Sequence, residues 1–156
     1  MLDLLFIFGA KYLFVLSLVF AGVYFLRQPW SMKKKMAIFG VVSLLLIYGV
    51  ALTAGHLYYN PRPFVVGHFA PLIPYAADNG FPSDHVLLVS AIAAIVYFFN
   101  RRIGIVLWII TILVAISRVY VGVHHPIDVI ASMLISLVST SVVYIISKHV
   151  TFQQKH

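Results

Sequence analysis

Gly80-Phe81-Pro82-Ser83-Asp84-His85 opens onto an apolar run, Val86 to Phe99, and the reading of this junction decides the fold. It is a short polar knot at the point where a loop turns into an apolar helix. A second knot lies about one helix pair downstream, at Ser117-Arg118-Val119-Tyr120-Val121-Gly122-Val123-His124-His125-Pro126-Ile127-Asp128. Both interrupt sequence that otherwise reads as membrane, so the polar residues they carry need a chemical reason.

Composition supports the membrane reading. Of 156 residues, 62% are hydrophobic and 10% charged, with a mean hydropathy of +1.01. A soluble domain of this size has too few charges to cover that much apolar surface, which implies an integral membrane protein. The chain has no cysteine, which excludes disulfides and thiolate metal sites. The N-terminal apolar run lacks a basic leader, carries Asp3 and continues to Leu26 before Arg27. That pattern fits a retained transmembrane helix better than a signal peptide. With no repeat or linker visible, residues 1–156 are expected to form one domain.

Working outward from the knots, five apolar stretches are long enough to be spans: roughly 4–26, 36–59, 84–100, 103–121 and 127–147. None shows the alternation of a membrane β-strand. The expected fold is therefore an all-α integral membrane protein, a bundle of about five transmembrane helices. Arg27, Lys33, Lys34, Lys35, Arg101, Arg102, Lys148 and Lys155 fall in alternate connections free of acids, whereas Asp3, Asp78, Asp84 and Asp128 fall on the other side. By the positive-inside rule the N-terminus is expected outside, the C-terminus cytoplasmic, and both knots on the outer face of the cell membrane. The formal charge of +7 is then explained by topology and anionic lipid, with no nucleic-acid partner required. Lys11 is the one base inside the first span.

The connection from Asn60 to Phe81 is rich in proline and glycine, which implies an irregular, partly rigid loop or lid. Tyr58, Tyr59, Phe64, Phe69 and Tyr75 read as interfacial anchors for it, and Asp78 as a turn former with Asn79-Gly80. Candidate chemistry then falls into three clusters at one end of the spans: Arg62 after span two; Ser83, Asp84 and His85 at the start of span three; Arg118, His124 and Asp128 around the turn between spans four and five. Ser83 suits an N-cap, and a helix N-terminus offers free N–H groups and a positive dipole end to a phosphate. Two arginines supply forked donors that match phosphate oxygens. Two histidines and a carboxylate remain, enough for a nucleophile, an acid/base and an orienting partner. Asp128, four residues after His124, is placed to hold His124 Nδ1–H and leave Nε2 reactive. A metal set drawn from His85, His124, His125 and Asp128 is the rival, but two neighbouring arginines favour an anion over a cation.

These residues resemble the motifs of the type 2 phosphatidic acid phosphatase superfamily, whose site is shared with vanadium haloperoxidases. Its third motif, Ser-Arg-x5-His-x3-Asp, is complete as Ser117, Arg118, His124 and Asp128. The second, Pro-Ser-Gly-His, stands as Pro82-Ser83-Asp84-His85, with aspartate for glycine. The first, Lys-x6-Arg-Pro, keeps Arg62-Pro63, but its lysine position is Gly55, followed by His56 as a possible auxiliary. Pro-Ser-Asp-His together with Ile73-Pro74-Tyr75-Ala76-Ala77-Asp78 looks most like undecaprenyl-pyrophosphate phosphatases of the bacitracin-resistance type. The motif-bearing core covers about residues 50–147.

The resemblance implies a metal-independent hydrolase with no cofactor, acting on a polyprenyl diphosphate at the outer leaflet to recycle a lipid carrier for cell-wall synthesis. His124 would attack phosphorus and form a phosphohistidine. His85 would protonate the leaving group and then activate water. Arg62, Arg118, Ser83 and the Asp84 backbone N–H would hold the phosphoryl oxygens. Ser-Arg-x5-His selects His124 and leaves His125 structural. The alternatives are a broader lipid phosphatase acting on phosphatidic acid or phosphatidylglycerol phosphate, and a non-catalytic lipid-binding or transport protein. Nothing in the sequence indicates an oligomeric state.

Overall fold

The computed structural model describes the backbone of residues 1–153 and the side chains through residue 149. Lys155, counted above among the bases of one end, lies outside the described residues. Six helices follow in order: α1 Leu2–Leu26, α2 Trp30–Leu57, α3 Pro63–Val66, α4 Asp84–Phe99, α5 Arg101–Tyr120 and α6 Pro126–Gln153.

Among the described residues, four of these helices are long and apolar enough to cross a membrane: α1, α2, α5 and α6. The fifth expected span, α4, has 16 residues and a length of about 24 Å, less than the ~30 Å hydrocarbon core. It is shortened by Asp84 at one end and Asn100 at the other. Asn100 closes α4 with its N–H on Val96 O, and its side chain caps α5 by accepting from Ile103 N at 3.1 Å. α2 begins at Trp30, earlier than the expected 36. Pro29 occupies its N-cap with φ −64 and ψ 156, and Lys33–Lys35 lie in its first turns rather than in a loop. Proline is tolerated at a helix start, because the N–H it lacks would have no intrahelical partner there.

Short α4 is the hub of the bundle, packed against α1, α2, α5 and α6. Val86, Val89, Ala93 and Val96 bury against Leu107, Ile110, Val114 and Val129. Small residues permit close crossings: a Cβ at Gly9 would collide with the Ser117 hydroxyl, and one at Gly104 with the Tyr97 backbone. Hydroxyls satisfy one another where water is absent, with Ser90 Oγ donating to Ser136 Oγ at 2.8 Å and Ser132 Oγ to Asp128 O at 2.9 Å. The outer faces of α1 and α2 expose Leu, Val and Phe side chains, as a surface solvated by hydrocarbon requires.

Alternating helix direction gathers the start of α1, the end of α2, the starts of α4 and α6 and the end of α5 at one end of the bundle. Contacts across that end fix the arrangement: Tyr120 Oη donates to Asp3 Oδ1 at 2.9 Å, Asn60 Nδ2 to Asp128 Oδ1 at 2.7 Å and Ser83 N to Asp128 O at 3.3 Å. Both polar knots, the 60–81 loop and the acids at 3, 78, 84 and 128 therefore share one end. Arg27, Lys33–Lys35, Arg101 and Arg102 occupy the other.

Candidate active site

Arg62, Arg118, His124 and Asp128 converge at the acidic end and are all nearly inaccessible, at 3%, 2%, 2% and 0% exposure. Each arrives from a different element: Arg62 from the N-cap of α3, Arg118 from the last turn of α5, His124 from the α5–α6 turn and Asp128 from the first turn of α6. Gly122, at φ +81, makes the turn that sends the chain back toward Arg118, and Val123 N closes on Arg118 O.

The hydrogen bonds define the chemistry of His124. Its Nδ1 lies 3.0 Å from Gly80 O, an acceptor only, so Nδ1 carries the hydrogen and Nε2 keeps a lone pair. Asp128 Oδ2 stands farther from Nδ1, at 3.5 Å. Asp128, expected to hold this N–H, therefore faces it at longer range and shares it with the Gly80 carbonyl. The carboxylate is already engaged by Asn60 Nδ2 on Oδ1 and by His125 N at 2.8 Å on Oδ2. Arg62 Nη1 lies beside the ring, 3.4 Å from Nε2 and 3.5 Å from Nδ1, and Arg118 Nη2 approaches Nε2 at 3.5 Å. Burial pushes the imidazole below its ordinary value of 6.5; the Asp128 hydrogen bond opposes this, and the charges of Arg118 and Arg62 reinforce it. The neutral ring thus keeps its Nε2 close to two guanidiniums.

The arginines differ in their support. Arg62 Nε donates to Asp78 Oδ1 at 2.7 Å, and Nη1 donates to Val123 O at 2.9 Å. Asp78 is therefore the ion-pair partner of Arg62 rather than merely a turn former. Arg118 reaches Ala10 O on α1 at 3.5 Å, and its Nε has no hydrogen-bond partner among the described residues. Ser83 Oγ and His85 Nδ1 are buried and unpartnered in the same way. The remaining such atoms are hydroxyls within the helices, on Ser17, Ser43 and Thr140. Buried polar atoms are normally paired, so three open ones in a single motif set suit a polar ligand.

Ser83 occupies the N-cap of α4 as expected, yet its hydroxyl makes no capping bond. It is tied to the second knot through its N–H on Asp128 O and through Ser132 Oγ, which donates to both Ser83 O and Asp128 O. His85 packs its ring edge-on against Phe14 of α1, with centroids 5.2 Å apart. Asp84 is exposed and forms no ion pair with either arginine among the described residues. It lines a groove of about 260 Å³ between α2 and α4, together with His56, Gly55 and Asn79. His56, with Nδ1 on Leu52 O at 2.8 Å, belongs to that groove and not to the His124 cluster. His125 Nε2 lies 3.1 Å from Pro61 O. Among the described residues no three histidine or aspartate side chains assemble as a ligand set.

Sequence reasoning missed three contributors. Tyr75, read as an interfacial anchor, lies with its ring over both guanidiniums, 4.2 Å from Arg62 Cζ and 4.7 Å from Arg118 Cζ. Asn79 ties the loop together, accepting from Asn60 N and Phe81 N and donating to Gly55 O. α1 supplies Ala10 O and Phe14. Tyr75 and Asp78 both sit in the Ile73–Asp78 stretch quoted above, so that segment held the signal, although nothing in it specified the contacts.

The family model described as PAP2 superfamily matches residues 36–152. The chain is 35% identical to undecaprenyl-diphosphatase BcrC of Bacillus subtilis over 140 residues, which cover 88% of this chain and 70% of that protein. A Bacillus subtilis PAP2-type phosphatidylglycerolphosphate phosphatase superposes with a TM-score of 0.58 at 26% identity, covering 93% of this chain and 74% of the other. LpxE of Aquifex aeolicus shares the fold, with a TM-score of 0.72 at 22% identity over 92% and 85% of the two chains.

Proposed function

The chain belongs to the PAP2 superfamily and is a multi-pass membrane protein, and from that premise we propose that it hydrolyses undecaprenyl pyrophosphate to undecaprenyl phosphate and inorganic phosphate. The observation that carries this reading is a single unprotonated imidazole nitrogen, His124 Nε2, close to two buried guanidiniums. Similarity to BcrC supplies the substrate class.

In the proposed reaction His124 Nε2 attacks the terminal phosphorus. The bond from that phosphorus to the bridging oxygen breaks, and His85 protonates the departing lipid phosphate. Water then attacks the phosphohistidine, giving its proton to His85, and inorganic phosphate leaves. Arg62, Arg118, Ser83 Oγ and the Asp84 N–H hold the equatorial oxygens, whose spread charge is the main target of stabilisation in phosphoryl transfer. Asp128 and the Gly80 carbonyl keep the ring oriented. The chemistry needs no metal, so activity should survive EDTA and be blocked by vanadate. Basic residues at the opposite end of the bundle favour an outer-face site, with the N-terminus outside and the C-terminus cytoplasmic.

The test is a panel in one detergent assay: undecaprenyl pyrophosphate, phosphatidic acid and phosphatidylglycerol phosphate. A preference of at least about tenfold in kcat/KM for the first is expected; each tenfold corresponds to about 1.4 kcal/mol of transition-state discrimination. The likeness to the phosphatidylglycerolphosphate phosphatase favours a broader lipid phosphatase as the second reading. Equal or greater activity on a monophosphate lipid would select it.

The depressed basicity of His124 fixes a pH dependence. Attack requires the neutral ring, and a lowered value keeps the ring neutral below 6.5, so on the acid side activity is lost as pH falls through that lower value. The acid limb of kcat/KM should therefore centre below pH 6.5 for substrates with different phosphate groups. A limb above pH 6.5 common to both would contradict this assignment.

A further inference from the structure

We propose that Tyr75 is a positioning residue that holds the two phosphate-binding guanidiniums together before substrate arrives, acting through its ring face. The proposal rests on the reading of this site as a phosphate site. Two like charges meet at His124 Nε2, within 3.4 and 3.5 Å of one atom, and such a pair repels unless something of opposite sign lies against it. Arg62 has the Asp78 carboxylate. Arg118 has no carboxylate within ion-pair distance among the described residues, and its Nε is unpartnered. What the two share is Tyr75. Its ring centroid lies 4.2 Å from one guanidinium carbon and 4.7 Å from the other, with the His124 ring 6.1 Å away at 66°.

The ring is placed there by the loop. Ile73, 3% exposed, buries with Ala10, Val121 and Val123, and Leu72 N donates to Val121 O at 3.1 Å. The lid segment is thereby pinned to the turn that carries His124, with Tyr75 two residues on. The negative face of an aromatic quadrupole is an attractive surface for a guanidinium. Covering the faces leaves the N–H edges, which lie in the guanidinium plane, for His124 Nε2 and for tetrahedral phosphoryl oxygens. An aromatic ring does this without the negative charge that a second carboxylate would set against an anionic substrate.

The ring face is the feature both guanidiniums share, and it can be weakened at nearly constant shape in a series that lacks the hydroxyl, which also interacts with Arg118. Full-length protein carrying phenylalanine, or mono-, di- and trifluorinated phenylalanine, at position 75 would be assayed for kcat/KM on undecaprenyl pyrophosphate and for inhibition by vanadate. Y75F, which keeps the ring and removes the hydroxyl, is the reference for the series. Successive fluorines should lower both kcat/KM and vanadate affinity stepwise, to a total of about 5–30-fold, with melting temperature unchanged. Tyr75→Leu should match or exceed the trifluorinated form. A flat fluorine series overturns the proposal, and so does loss in Tyr75→Leu alone, which would indicate packing. Because vanadate reads the arginines whatever the lipid, a stepwise vanadate series with no undecaprenyl pyrophosphate turnover would refute the substrate assignment while sustaining the role of Tyr75.

Discussion

Replacing His124 with alanine is expected to lower kcat by about 10⁴-fold or more, the largest effect of any single change in this chain. The ring is the group whose Nε2 lies within 3.5 Å of both arginines, and its Nδ1 is already committed to Gly80 O and, less closely, to Asp128. Neither His85 nor His125 can stand in. His125 Nε2 faces Pro61 O, and His85 sits on α4 against Phe14. His124→Gln preserves side-chain polarity without a nucleophile of that geometry, so it should be equally inactive while binding vanadate measurably. Turnover by either variant within tenfold of the parent would remove His124 from the chemistry.

Arg118→Lys should reduce kcat/KM by about 10²–10³-fold, the second largest effect. The guanidinium serves several directions at once: Nη1 toward Ala10 O, Nη2 toward His124 Nε2, one face on Tyr75, and Nε left open. A lysine keeps the charge but not the fork. Its ammonium can reach either α1 or the phosphoryl site, leaving the other without a donor. Because Arg118 is 2% exposed, the comparison needs a thermal melt beside the kinetics, and lysine is chosen over alanine to avoid an empty polar cavity. Arg62→Lys should lose less, since Asp78, Asn79 O and Val123 O continue to position a cation there. Equal losses for the two would mean that Arg118 has no special role.

Much of this was legible in the sequence, for physical reasons. Spans declare themselves because hydrocarbon demands about 20 apolar residues, and polar residues at their ends stand out against that background. Ser117, Arg118, His124 and Asp128 were legible as a set because they fall within one short stretch, residues 117–128. Span limits were less so: Lys33–Lys35 looked like loop, yet Pro29 sets the helix start and three lysines do not stop a helix. The 60–81 loop was least legible. Asn60, Tyr75, Asp78 and Asn79 act through contacts with residues up to 68 positions away, which no local period records. The orientation of His124 likewise depends on the Gly80 carbonyl, a backbone atom that any residue type supplies. Gly55 and His56 invited a substitution argument for the missing motif lysine. The fold instead puts His56 in a separate groove with Asp84.

The central claim is a covalent phosphohistidine at His124, and trapping it is the most direct test. Enzyme mixed with undecaprenyl pyrophosphate labelled in the terminal phosphate would be quenched in alkali within milliseconds, digested and mapped by mass spectrometry. A base-stable, acid-labile phosphate on the imidazole of residue 124, formed and lost at rates compatible with turnover and missing from His124→Gln, is the predicted result. Label on another residue, or turnover with no covalent label under conditions that capture other phosphohistidines, would contradict it.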